Sequence, residues 1–206
     1  MMDALEALRC LQEGNHRFVT NHQDSHAHTS EARRSELLAG QAPAAIILGC
    51  SDSRVPAEIV FDQGLGELFV IRVAGNIVAP SGVGSVEFAA EQFGTRLVVV
   101  LGHSMCSAVE TTIHQLERPV SLRSSNLRSI VDRIRPSVET LMETQVVTDR
   151  ARLLQMAVRA NIRSSAQHLR HGSPILEQLI ANDGLLVVGA EYSLETGVVE
   201  FFDGLP

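Results

Sequence analysis

Short, continuous apolar runs recur along this chain and limit the class of fold that it can adopt. They lie at Ala44–Gly49, Leu68–Val73, Arg96–Gly102 and Leu185–Gly189. Such runs are typical of strands that are covered on both faces, as in a parallel sheet. Strands that alternate with helices need right-handed crossover connections. The sequence therefore predicts an α/β fold with a mainly parallel central sheet flanked by helices.

The two ends of the chain add elements of a different kind. Asp3–Val19 carries leucines at helical spacing and predicts an extended amphipathic N-terminal helix. Val198–Asp203 follows a turn and predicts an antiparallel edge strand at the C-terminus. Because neither a repeat nor a low-complexity linker interrupts the chain, we expect one domain over residues 1–206, in which residues 1–40 form a helical arm.

Helices are predicted between the apolar runs. One is expected at Ser85–Phe93, before the third run. The region from residue 105 to residue 172 is also expected to be helical, with breaks at Pro119 and Pro136, because proline lacks the N–H that a helix interior needs. Within that region, Asp149–His171 carries an apolar stripe, which indicates packing against the core.

Composition excludes several classes of function. The 17 basic residues, all of them arginine, stand against 24 acidic residues and give a net charge of −7, which argues against nucleic-acid binding. Without lysine, neither Schiff-base chemistry nor a GxxxxGK[ST] phosphate loop is possible. The N-terminus does not resemble a signal peptide, and no apolar run has the length of a membrane span, so we expect a cytoplasmic protein without membrane contact.

Two short clusters carry the groups that can do chemistry. Cys50-Ser-Asp52-Ser-Arg54 follows the first apolar run, and His103-Ser-Met-Cys106 follows the third. Open parallel sheets build their sites at the carboxyl ends of the strands. We therefore expect both clusters to meet at one edge of the sheet.

Cys50, His103 and Cys106 are a ligand set that suits zinc. Asp52 can complete a closed, structural tetrahedron. Alternatively, Asp52 can pair with Arg54 and leave the fourth position open to water, as in catalytic zinc sites. The simpler interpretation is that the thiols are buried and inert and that the charged pair is an ordinary loop contact.

The combination of Cys50-x-Asp52-x-Arg54 with His103-x-x-Cys106 resembles the signature of the β-class carbonic anhydrases. The resemblance extends over most of the chain. It implies that Cys50, His103 and Cys106 bind one Zn²⁺ per chain. It also implies that Asp52 and Arg54 form a catalytic dyad.

The resemblance further implies a pocket for CO2 and bicarbonate. Gln41 falls where the family has a glutamine that hydrogen-bonds the substrate, and Phe69 falls on an aromatic residue of the pocket wall. Phe88 lies where many relatives have a tyrosine from the neighbouring subunit. The implied assembly is a homodimer or a dimer of dimers, with the sites at the subunit interface and the first helix lying across the partner.

The implied function is the reversible hydration of carbon dioxide to bicarbonate and a proton, by attack of zinc-bound hydroxide. One alternative is hydrolysis of carbonyl sulfide or carbon disulfide, because relatives with that activity share the ligand set. A second alternative is a non-enzymatic zinc or thiol sensor, against which Arg54 argues. One subgroup of the family closes its site with the aspartate, helped by a tryptophan at the position of Ile47, so this sequence favours Asp52 on Arg54.

Overall fold

A five-stranded sheet forms the centre of the molecule. The structure is a computed structural model, which describes residues 2–23, 29–119, 124–143 and 149–206. The strands are β1 (Ala45–Cys50), β2 (Leu68–Val73), β3 (Leu97–His103), β4 (Leu186–Tyr192) and β5 (Val199–Asp203). Their order across the sheet is β2-β1-β3-β4-β5. β1 to β4 are parallel and β5 runs antiparallel to β4, which confirms the predicted sheet and its C-terminal edge strand.

Helices cover both faces of this sheet. They are α1 (Ala4–Val19), α2 (Glu31–Glu36), α3 (Ala57–Val60), α4 (Pro80–Gln92), α5 (Ser107–Glu117), α6 (Ser125–Glu143), α7 (Arg150–His171) and α8 (Pro174–Asn182). Short 3-10 turns follow α2 and β2, at Leu37–Ala39 and Ala74–Asn76. One core lies between the sheet and α4 to α8, and a second lies between the sheet and α1 with α3. Parts of the predicted arm (24–28) and of the predicted helical region (120–123 and 144–148) lie outside the described residues.

The N-terminal helix packs on its own sheet. The Asp3 side chain caps α1 by accepting a hydrogen bond from the Glu6 N–H at 2.8 Å. Leu8 and Leu11 are buried in the core that this helix shares with β1, β3 and β4. Leu5 on the same helix is exposed. The expectation that the first helix lies across a partner stays a prediction.

Two helix boundaries differ from those predicted. α4 starts at Pro80, five residues before Ser85, with proline in the first helical turn. The predicted break at Pro136 is wrong, because α6 continues through it. Ile134 and Val138, on either side of the proline, are fully buried. Their packing against the core offsets the cost of an internal proline, which is about 3 kcal/mol.

Among the described residues, no helix combines the length and the apolar character needed to cross a membrane.

Candidate metal centre

The three predicted ligands lie at the carboxyl ends of two neighbouring strands. Cys50 is the last residue of β1 and His103 is the last residue of β3. The sequence predicted each of them directly after its strand. Cys106 follows as the N-cap residue of α5. Because β1 and β3 pair in parallel, the two strand ends meet, and the three donor atoms lie within 4.8 Å of one another. All three residues are buried.

His103 is held in the tautomer that a metal ligand needs. Its Nδ1 lies 2.9 Å from the backbone carbonyl oxygen of Ser104. Since a carbonyl oxygen only accepts hydrogen bonds, Nδ1 carries the proton. Nε2 therefore keeps its lone pair free to bind a metal. Nε2 is buried and has no hydrogen-bond partner within the described part of the chain. An orphaned buried nitrogen beside two sulfurs fits a metal ligand, because buried polar atoms otherwise have partners.

The two buried thiols shift each other's pKa in opposite directions. The hydrogen bond from the Cys106 thiol lowers the pKa of Cys50, and the same bond, together with burial, raises the pKa of Cys106. Two features favour thiolates here. The Gly75 N–H donates to the Cys50 sulfur at 3.3 Å, and Cys106 lies at the positive end of α5 as its N-cap residue. A divalent cation displaces the remaining proton, so two sulfurs and one imidazole fit Zn²⁺.

Asp52 lies beside these ligands and is paired with Arg54. The Arg54 guanidinium donates through Nε to Oδ1 at 2.9 Å and through Nη2 to Oδ2 at 2.7 Å, and its backbone N–H donates to Oδ1 at 3.0 Å. These hydrogen bonds hold the pKa of Asp52 well below its usual range. Oδ2 is 3.8 Å from Nε2 of His103. The carboxylate therefore lies next to the three donors while Arg54 occupies both of its oxygens.

Comparisons with known proteins identify the family of this chain. A family model described as carbonic anhydrase matches residues 45–199. A carbonic anhydrase 2 from Mycobacterium tuberculosis is 37% identical over 191 residues, which cover 93% of this chain and 89% of that protein. The carbonic anhydrase of Mycolicibacterium smegmatis is 36% identical over 194 residues, which cover 94% of this chain and 91% of that protein.

Solved structures agree with that match. The β-carbonic anhydrase CafA of Aspergillus fumigatus superposes with a TM-score of 0.75 at 23% identity, over 97% of this chain and 90% of that one. A tetrameric β-carbonic anhydrase from Sordaria macrospora superposes with a TM-score of 0.73 at 23% identity, over 82% of this chain and 85% of that one. This chain belongs to the β-carbonic anhydrase family. Like other members of the β-carbonic anhydrase family, it is therefore an enzyme of the carbonic anhydrase class.

The pocket residues that the carbonic anhydrase resemblance implies are not beside the metal ligands of the same chain. Phe69 pairs with Ile46, whereas Val73 pairs with Cys50, so about 13 Å of strand separates Phe69 from the ligand end. Gln41 precedes β1 and is exposed. Phe88 on α4 lies against Phe69, with ring centroids 6.3 Å apart, and is 53% exposed. The three residues thus lie towards the opposite end of the sheet.

Sequence reasoning missed two residues of this carbonic anhydrase site, Arg72 and Gly75. Arg72 donates to the backbone of the Cys50–Asp52 loop, and Gly75 donates its N–H to the Cys50 sulfur. The available signal for Arg72 is a charged residue inside the apolar run Leu68–Val73. Gly75 adopts a φ of +70°, which favours glycine, but nothing in the sequence indicates that its N–H faces a ligand.

Proposed function

We propose that this chain catalyses the reversible hydration of CO2 to bicarbonate and a proton, with one Zn²⁺ held by Cys50, His103 and Cys106. The observation that carries the proposal is the unpartnered Nε2 of His103 within 4.8 Å of two buried sulfurs, beside a carboxylate fixed by arginine. Relatives at 36% and 37% identity are named carbonic anhydrases. Bound zinc is a Lewis acid that lowers the pKa of water and so supplies hydroxide near neutral pH.

The Asp52–Arg54 pair orients the nucleophile. Asp52 stays ionised because Arg54 lowers its pKa, so its carboxylate only accepts hydrogen bonds. Oδ2 lies 3.8 Å from the His103 nitrogen that would hold the metal. With zinc bound by Cys50, His103 and Cys106, a carboxylate at this position would accept a hydrogen bond from the nucleophile and so orient it towards CO2. Arg54 keeps Asp52 from taking the place of water.

We infer that two chains are needed to complete the substrate pocket. β2 is an edge strand, and an unpaired edge is a template for pairing with another chain. Antiparallel pairing of two β2 strands about a two-fold axis sets the Phe69 end of one chain beside the Val73 end of the other, next to Cys50. Gln41, Phe69 and Phe88 of one chain would then line the pocket of the other. A dimer of such dimers would match the tetrameric relative from Sordaria macrospora.

Metal analysis and a stopped-flow CO2 hydration assay test this proposal. Cys106→Ser should lose both zinc and hydration activity, because it replaces one of three protein ligands. Cys10→Ser is the matched control, since Cys10 lies on α1, outside the ligand cluster, and it should retain both. Full zinc occupancy in Cys106→Ser would contradict the ligand assignment.

The alternative substrates are tested on the same preparation. Sulfide release from carbonyl sulfide or carbon disulfide, without CO2 hydration, would replace the proposed substrate while keeping the metal site. Zinc binding without either activity would favour the sensor. A cytoplasmic location and a single domain over residues 1–206 stay predictions.

A further inference from the structure

Arg72 holds the loop that carries the first ligand and the dyad carboxylate. It is the fifth residue of β2, and its side chain reaches across to the end of β1. Nε donates to the Cys50 carbonyl oxygen at 3.1 Å, and Nη2 donates to the Asp52 carbonyl oxygen at 2.5 Å. One planar guanidinium therefore bridges two backbone carbonyls that lie two residues apart.

The end of the β1–β2 ladder explains why a side chain makes these contacts. The Ser51 N–H still donates to the Val73 carbonyl oxygen at 3.2 Å. Beyond Val73 the chain enters the 3-10 turn Ala74–Asn76, and the Gly75 N–H donates to the Cys50 sulfur rather than to a carbonyl. Arg72 supplies the Cys50 carbonyl with a donor where the ladder has ended, which matches the general need of backbone groups for partners.

The position of the Asp52 carboxylate depends on this loop. Oδ2 is only 3.8 Å from Nε2 of His103, so a small movement of the Asp52 backbone would bring the carboxylate among the ligands. Arg54 restrains the Asp52 side chain, whereas Arg72 restrains its backbone carbonyl. The two arginines therefore act on different atoms of one residue.

We propose that Arg72 is a positioning residue of the metal centre. It fixes the backbone of the Cys50–Asp52 loop so that the Asp52 carboxylate stays on Arg54, leaving the fourth metal position to water. The inference rests on the proposed zinc chemistry. It adds a second arginine, outside the predicted signature, on which the open site depends.

The test uses Arg72→Gln and Arg72→Lys, each prepared with Zn²⁺ and with Co²⁺. Arg72→Gln should lower kcat/KM for CO2 about 10- to 100-fold, the range expected when a reacting group is misplaced by about 1 Å. Its Co²⁺ absorption spectrum should change, because a carboxylate replaces water in the coordination sphere. Arg72→Lys should recover part of the activity, since an ammonium can reach one carbonyl but lacks the planar fork that bridges two.

Arg96→Gln is the matched control. Arg96 also bridges two backbone carbonyls, donating through Nε to Asp183 at 3.1 Å and through Nη1 to Ala90 at 2.8 Å. It precedes β3, at the end of the sheet opposite the ligands. This variant should keep kcat/KM within twofold and leave the Co²⁺ spectrum unchanged.

A double variant separates positioning from a general structural role. If Arg72 acts through Asp52, replacing it in an Arg54→Ala background should cause little further loss of kcat/KM, because the Asp52 carboxylate is already released. An equal loss in both backgrounds, or an unchanged Co²⁺ spectrum in Arg72→Gln and Arg72→Lys, would overturn the proposal. If the unaltered protein fails to hydrate CO2, the proposed function fails, while the Co²⁺ spectra still decide the role of Arg72.

Discussion

At the scale of single residues, the segment between His103 and Cys106 stores backbone strain. Met105 adopts a φ of +54° and is 53% exposed. An L-residue with a long side chain in the left-handed region costs roughly 1–2 kcal/mol, whereas asparagine tolerates this conformation better. Met105→Asn should therefore raise the free energy of unfolding of the metal-free protein by about 0.5–1 kcal/mol. Urea denaturation measures the difference.

Met105→Leu is the control for this strain, because it keeps a long apolar side chain at the same backbone angles and should give no gain. Equal stability of Met105→Asn and Met105→Leu would show that the conformation costs nothing measurable.

The metal ligands could be predicted from the sequence, whereas the residues that contact them through the backbone could not. Cys50, His103 and Cys106 were predicted to meet because their side chains bear the chemistry and their strands end at one edge. Gly75 contributes a backbone N–H, and Arg72 binds backbone carbonyls. Backbone atoms are the same in every residue, so the sequence carries no record of which of them face a ligand.

At the scale of elements, an ion pair connects the edge strand β5 to α7. Arg159 donates to both oxygens of Glu200 at 2.8 Å, and its guanidinium lies 3.9 Å from the ring centre of Phe202. The hydrogen bond from Arg159 lowers the pKa of Glu200. A carboxyl group whose pKa is lower in the folded state stabilises that state above its unfolded pKa, and the contribution disappears as the pH falls through the folded pKa.

Glu200→Gln should therefore lower the free energy of unfolding at neutral pH by about 0.5 kcal/mol, the size typical of an exposed ion pair. The difference from the unaltered metal-free protein should shrink as the pH falls below the ordinary glutamate pKa of about 4.3 and through the lowered pKa of Glu200. Urea titrations at several pH values measure it, with Glu195→Gln as a control in the neighbouring turn. A difference that does not change with pH would show that the ion pair is not its source.

The bounds of β2 (Leu68–Val73) were predicted without error, although Arg72 interrupts its apolar run. The runs that became β1 and β3 are continuous, and both strands were found within one residue of their predicted bounds. α4 was placed five residues late because Gly82 and Gly84 are poor helix formers, although Pro80 starts the helix in the structure. α6 was expected to end at Pro136, since the burial that stabilises it comes from neighbouring helices and is not a local signal.

At the scale of the whole molecule, the separation between ligands and pocket residues is the central observation. A single sheet holds Cys50 at one end of β1 and Phe69 near the other end of β2. The family resemblance already implied a pocket at the subunit interface, to which a neighbouring chain contributes. The proposed sharing of the site between two chains would bring these residues together without changing either assignment.

This sharing predicts that assembly and activity are lost together. Phe88→Glu replaces the exposed ring that packs against Phe69 with a charged carboxylate. Because this position lies beside the edge strand, the variant should shift the protein towards monomers. The monomer should keep its zinc, because all three ligands belong to one chain, yet lose at least about tenfold in kcat/KM, or roughly 1.4 kcal/mol of transition-state stabilisation. Analytical ultracentrifugation, metal analysis and the hydration assay on the same samples measure the three properties.

Leu127→Glu is the matched control, since Leu127 is similarly exposed, at 56%, but lies on α6, away from β2. It should remain dimeric and active. Raising the concentration of Phe88→Glu until dimers form again should restore part of the activity, because the metal ligands are intact while the pocket still lacks the Phe88 ring. A Phe88→Glu monomer with full activity would mean that one chain completes its own pocket, and that Gln41, Phe69 and Phe88 have no part in the reaction at the Cys50 end of the sheet.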